Sequence, residues 1–191
     1  MSFPLTQLSK TRFRTNRMTD RKFPIGQFVK QESYSAEELD SFIRIIETIP
    51  AQFRALVENL SDDDLGKRYR EDSWTIRQIV HHVADIHYLY YLRMKKAISE
   101  PDYKEMTLID MNAWSAMPDS LSAPVSGSLL ALEGIHQRYV VLAKSLTEEQ
   151  FNISYFHPAR QLWFSQKDAL AIAVWHANHH MGHIRWALEG I

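Results

Sequence analysis

A chain of 191 residues with 45% hydrophobic and 12% aromatic side chains can bury one substantial core and is short for two. Its charges nearly cancel, at a formal net of -1, so no whole-protein field exists to hold nucleic acid or an anionic membrane. With no cysteine, disulfides, thiolate metal sites and a cysteine nucleophile are excluded, and any metal must be held by His, Asp or Glu.

Residues 1–22 are basic and unpatterned. Such a stretch could be an organelle transit sequence, but Met18 supplies a simpler alternative as the native start. No window reaches the roughly 18 consecutive apolar residues of a membrane span, and the apolar block of a secretory signal is missing. A cytoplasmic location is therefore expected, and residues 23–191 read as a single domain. Ser35-Ala-Glu-Glu38 has the pattern of a capping box and opens a helix to about Leu60, which Pro50 should kink or split. Asp72-Ser73 starts a second helix, Trp74 to about Ile98, with Ile76, Ile79, Val83, Ile86 and Tyr90 at helical spacing. Residues 100–125 carry prolines and polar breaks without a sustained period and form a long crossover, which permits neighbouring helices to run parallel. Ser126 to about Leu146 is a third helix, with Leu129, Leu132, Ile135, Tyr139 and Leu142 on one side. A loop holding His157-Pro158 follows, and Ser165 or Lys167 to Leu188 is the fourth. Four long amphipathic helices and almost no strand predict an all-α four-helix bundle with a long crossover connection, a fold that builds metal sites from facing helices.

The last of these helices holds four histidines between positions 176 and 183. At about 100° per residue, Ile172, Trp175, His183 and Trp186 fall within about 40° of His179, so His179 and His183 lie inside an apolar stripe. His176 and His180 sit about 60° and 100° away, toward its edge. Residues four apart have Cβ atoms about 5–6 Å apart, close enough for two imidazoles to bind one ion. The second helix offers a third donor: His82 lies beside Ile79, Ile86 and Leu89, whereas His81 turns about 100° away toward Arg77 and Asp85. The same H-x-x-x-H spacing also suits packed, hydrogen-bonded imidazoles without a metal. Trp175 and Trp186 are expected to wall the site, Met181 to pack in the core, and His136 and His157 to be ordinary surface or loop histidines. Because His180 follows His179, the glutamate base of the H-E-x-x-H proteases is not supplied.

FPIGQF at 23–28, YREDSWTIRQIVHHVADIH at 69–87, YFHP at 155–158 and VWHANHHMGHI at 174–184 resemble segments of the YfiT family of metal-dependent hydrolases, within the DinB-like helical superfamily. The resemblance spans residues 23 to about 188. It implies a DinB-type four-helix bundle, a homodimer, and one divalent metal per subunit on His82, His179 and His183, the same three residues that the helical wheels select. Zinc suits three imidazoles and an open position, and nickel is the other metal that the resemblance suggests. The implied activity is metal-dependent hydrolysis of a small molecule by activated water. Transfer of a low-molecular-weight thiol to an electrophile would use the same device, and a nonenzymatic metal-binding or packing bundle is a third reading. Asp85, His180 and Asp168 are close enough on their wheels to orient water, but none is assigned as catalytic. Nucleic-acid binding finds no basic recognition helix.

Overall fold

The computed structural model describes residues 21–190. Four long helices form the body: α1 (Ala36–Val57), α3 (Ile76–Ser99), α6 (Val125–Lys144) and α8 (Gln166–Glu189). Short helices α2 (Asp62–Leu65), α4 (Met111–Ser115), α5 (Pro118–Ser122) and α7 (Glu148–Asn152) lie in the connections. A hairpin of β1 (Ser154–His157) and β2 (Leu162–Ser165) precedes α8. Helix α1 packs on α6 and α8, and α3 packs on the same two, so α1 sits diagonally across the bundle from α3, and α6 from α8. No helix among the described residues is long and apolar enough to cross a membrane.

Capping chemistry fixes where α1, α3 and α8 start, and therefore which of their side chains reach the core. Reciprocal side-chain caps close Ser35 with Glu38, Thr75 with Gln78, and Ser165 with Asp168, each holding two otherwise unpaired backbone donors. The interior is filled by apolar positions at helical spacing, among them Ile46, Ile49 and Phe53 of α1, Ile76 and Ile79 of α3, and Leu132 and Tyr139 of α6. Pro50 does not split α1, which continues through it to Val57. A proline removes one helical N–H, so the carbonyl four residues earlier, that of Ile46, loses its ordinary helical partner.

The crossover after α3 is more structured than its composition predicts. Besides α4 and α5, both packed on α3, it contributes a backbone segment that pairs with the hairpin: Phe156 N donates to Lys104 O at 2.8 Å and Met106 N to Phe156 O at 2.9 Å. In the hairpin, Tyr155 pairs with Phe164 facing inward and Phe156 with Trp163 on the other face, the two-residue alternation of a half-buried strand. Its turn is closed with Gln161 at a φ of 53°. At the other end of the chain, Arg21 donates to the Tyr69 carbonyl at 2.9 Å and reaches the Gly190 carbonyl. Arg21 and Lys22 thus touch the bundle although composition groups them with the basic extension. Met18, the alternative start, lies outside the described residues.

Candidate metal centre

The caps at Thr75 and Ser165 set the phase of α3 and α8 so that His82, on the first, faces His176 and His180, on the second. Donor nitrogens of these three lie within 4.8 Å of one another. The His82 and His176 Nε2 atoms are 3.1 Å apart. Two ligands held about 2.0–2.1 Å from one tetrahedral ion are themselves about 3.3 Å apart, so this separation suits a shared ion. A second group, His179, His180 and His183, meets the same 4.8 Å limit, with the His183 and His180 Nδ1 atoms 3.4 Å apart. His180 belongs to both.

The three ligands expected from the sequence are therefore divided: His82 falls in one group, His179 and His183 in the other, and among the described residues no group unites them. The physical reason lies in the width of the buried arc on α8. This helix packs on both α1 and α3, so positions 60–100° from His179 are not at a solvent edge but against α3. His176 and His180 are 8% and 6% exposed.

Burial keeps all these rings neutral. It lowers His82 to about 3, with His179 nearby adding to the effect, and lowers His179 and His183 to about 4. His176 and His180 are driven well below the ordinary range by burial and then by neighbouring imidazoles. Neutral imidazoles have a free lone pair, the form that binds metal. The Nδ1 of His179 is buried without a protein partner among the described residues. A nitrogen-rich, uncharged donor set of this kind fits a borderline divalent ion such as zinc or nickel better than calcium or magnesium, which prefer oxygen.

The imidazoles open onto a cavity of about 670 Å³, within the range of small-molecule sites. Trp74 packs over His82 with ring centres 4.6 Å apart, Trp175 stacks on His179 at 4.6 Å, and Tyr69 stacks on His183 at 3.8 Å. Trp186, expected as a wall, is absent from the lining, and Trp74 takes that place. The opposite side comes from the crossover and the hairpin, including Tyr155, His157 and Arg160. Charged lining residues are Lys22, Arg70, Arg93, Arg160 and Asp72, a positive balance that favours an anionic or electron-rich oxygen in the ligand. Arg93 is buried, with its Nε and Nη2 donating to the Thr107 carbonyl at 3.1 and 2.6 Å.

His81 points away, with Nδ1 2.8 Å from Ser128 Oγ and Nε2 3.2 Å from the Ala123 carbonyl. Of the three residues considered for orienting water, only His180 lines the cavity. Asp85 lies outside that lining, where burial and then Asp119 raise it to about 6. Asp168 is the capping carboxylate of α8, accepts from Ser165 N and Oγ at 2.8 Å, and pairs with Lys30 at 3.1 Å. His136 is not a surface residue: it is 1% exposed and hydrogen-bonded to His87. His157 is a cavity residue, lowered to about 4 by burial and then by Arg160 and Arg93. His87, unremarked in the sequence, is fully buried between His136 and His176. Its position four after Val83 and three before Tyr90 was the available signal.

A four-helix bundle with a buried histidine cluster opening onto a small-molecule cavity is the class of protein that these observations define. The family model described as the DinB superfamily matches residues 45–184. YfiT of Bacillus subtilis is 38% identical over 162 residues, covering 85% of this chain and 90% of that protein. A Bacillus pumilus relative is 40% identical over 167 residues, covering 87% and 94% respectively. The solved YfiT structure superposes with a TM-score of 0.82 at 37% identity, covering 88% of this chain and 94% of that one. It is described as "a probable metal-dependent hydrolase with an unusual four-helix bundle topology". The chain belongs to the DinB superfamily and is similar to YfiT over most of its length.

Proposed function

We propose that this chain is a metal-dependent hydrolase of small molecules and holds one divalent ion, zinc in the first instance, on His82, His176 and His180. The observation that carries the reading is the approach of His82 Nε2 and His176 Nε2 to 3.1 Å across α3 and α8, with His180 in the same group and all three lining one cavity. Support also comes from the relatives, whose names describe metal-dependent hydrolases. When bound, such an ion supplies Lewis acidity, polarising a carbonyl and acidifying water toward a pKa of about 7. The residues of the chain do the rest. Trp74, Trp175 and Tyr69 give the substrate an apolar seat and limit solvent access to the imidazoles. Arg160, on the hairpin side, attracts the oxygen-rich end of the substrate, and Arg93 adds positive charge from its buried place in the wall.

Metal content after exhaustive dialysis tests the ligand set. His82→Ala, His176→Ala and His180→Ala should each lose the ion, whereas His179→Ala and His183→Ala should retain about one equivalent. The reverse pattern for the α8 variants would reinstate the set expected from the sequence. Ester and amide substrates presented to the zinc-loaded protein, with and without a small thiol, test the reaction. Cleavage without thiol supports hydrolysis; turnover only with thiol and an electrophile refutes it.

A further inference from the structure

Four imidazoles run in single file from the candidate metal centre through the core to the backbone of α1. His82 Nε2 is 3.1 Å from His176 Nε2, His176 Nδ1 is 3.4 Å from His87 Nε2, and His87 Nδ1 is 2.9 Å from His136 Nε2. The file ends where His136 Nδ1 meets the Ile46 carbonyl at 2.6 Å. That carbonyl is the one deprived of its helical N–H by Pro50.

A carbonyl oxygen can only accept, so the end of the file has a fixed polarity. His136 must carry its proton on Nδ1. In a neutral ring this leaves Nε2 bare, and the only role open to His87 Nδ1 is to donate to it. His87 Nε2 is then bare and accepts from His176 Nδ1, which leaves the Nε2 lone pair of His176 directed toward His82. His87 and His136 are 0% and 1% exposed, so solvent does not offer a competing partner.

We propose that the Ile46 carbonyl, freed by Pro50, fixes the tautomers of His136, His87 and His176 in turn and so presents His176 Nε2 to the ion. The inference rests on the assignment of His176 as a ligand. His87 and His136 are positioning residues: they touch neither ion nor substrate, but without them His176 could carry its proton on Nε2, the tautomer that cannot ligate through that nitrogen. Groups that orient a metal-bound histidine are typically worth about 10–100-fold in metal affinity.

The test has two readouts on the full chain. The first is imidazole ¹⁵N NMR, which distinguishes Nδ1–H from Nε2–H rings, recorded without metal and with zinc. His136 and His87 should be Nδ1–H in both states, and zinc should shift His176 Nε2. An Nε2–H ring at His136 or His87 overturns the relay alone. An unshifted His176 on zinc binding overturns its presentation to the ion together with the ligand assignment. The second readout is zinc affinity by competition with a chromophoric chelator. His136→Leu should weaken binding about 10–100-fold. His136→Gln should recover most of that loss, because its amide can donate to Ile46 O and accept from His87. Unchanged affinity in a folded His136→Leu protein overturns the proposal. Should that variant fail to fold, the tautomer spectrum of the parent protein still decides.

Discussion

Replacing Gly182 by alanine sets helix propensity against a specific collision. Residues 22–28 cross α8 at this point: Lys22 O is 3.3 Å from His183 Nε2, and Trp175 Nε1 donates to Gly26 O at 3.2 Å. A Cβ on Gly182 would lie 2.8 Å from Pro24 Cβ and 2.9 Å from Pro24 Cγ, where relaxed carbon pairs need about 3.5–4.0 Å. Both opposing atoms belong to a proline ring, which has no rotamer to swing aside, so the strap or the helix must shift by roughly 0.7–1 Å. In mid-helix, Gly→Ala gains about 1 kcal/mol, while overpacking a close contact costs about 1–3 kcal/mol. The balance is a loss of up to about 2 kcal/mol, centred near 1 kcal/mol. For a chain of this size that lowers Tm by about 2–4 °C. Hydrogen exchange across residues 22–28 should accelerate, and Trp175 fluorescence should shift to the red as its indole loses the Gly26 carbonyl. A rise in Tm of about 2–4 °C with unchanged exchange would mean that propensity acts alone, and would refute the seating of the strap on Gly182.

Asp85 should make stability depend on pH. Burial, then Asp119, raises its folded pKa to about 6, so any advantage it gives below the ordinary carboxylate range is lost as pH rises through about 6. Asp85→Asn should therefore exceed the parent by about 1 kcal/mol above pH 7, after discounting for partial exposure, and match it at pH 3; equal stability of the two proteins at both pH values would count against this. Asp168→Ala should lose about 2 kcal/mol of stability in a thermal melt, from the α8 cap and its charge-assisted bonds, while retaining one equivalent of metal. Loss of metal at unchanged Tm would return Asp168 to the site. We propose a homodimer, supported by the exposed apolar side chains Met111, Trp114, Met117 and Leu121 along α4 and α5; light scattering at a mass near 22.3 kDa rather than twice that would refute it.

The four long helices were legible because each carries its own period and three of them a side-chain cap. Ser35 with Glu38 marks the start of α1 to within a residue, and the Ile76, Ile79, Val83 and Ile86 series fixes the buried side of α3. The hairpin was not legible, since two four-residue strands offer too few alternations to register and their partner, residues 104–106, lies some fifty positions away. The candidate site was legible as to residue type and helix, but not as to which imidazoles share a group. A wheel centred on His179 treats α8 as having one buried stripe, whereas contacts with α1 on one side and α3 on another bury an arc that includes His176 and His180. His136 was open to the same reasoning, standing four after Leu132 and three before Tyr139, both core residues. A lone histidine on an apolar face needs a buried partner to be stable there, and neither His87 nor the Ile46 carbonyl can be located from spacing within α6.

The meeting of the first described residues with the last helix also sets an order in time. His82 leaves the ribosome 94 residues ahead of His176, an interval of roughly 5–20 s at ordinary rates of synthesis. Until Lys144 is made, the apolar face of α3 has neither α6 nor α8 fully available to cover it, and after that it still lacks α8. Arg21 and Lys22 wait longer still, because their contacts at Gly190 and His183 are made after His176. The cavity is therefore closed by an early part of the nascent chain folding over a later one, and the histidine cluster is incomplete until α8 has been made.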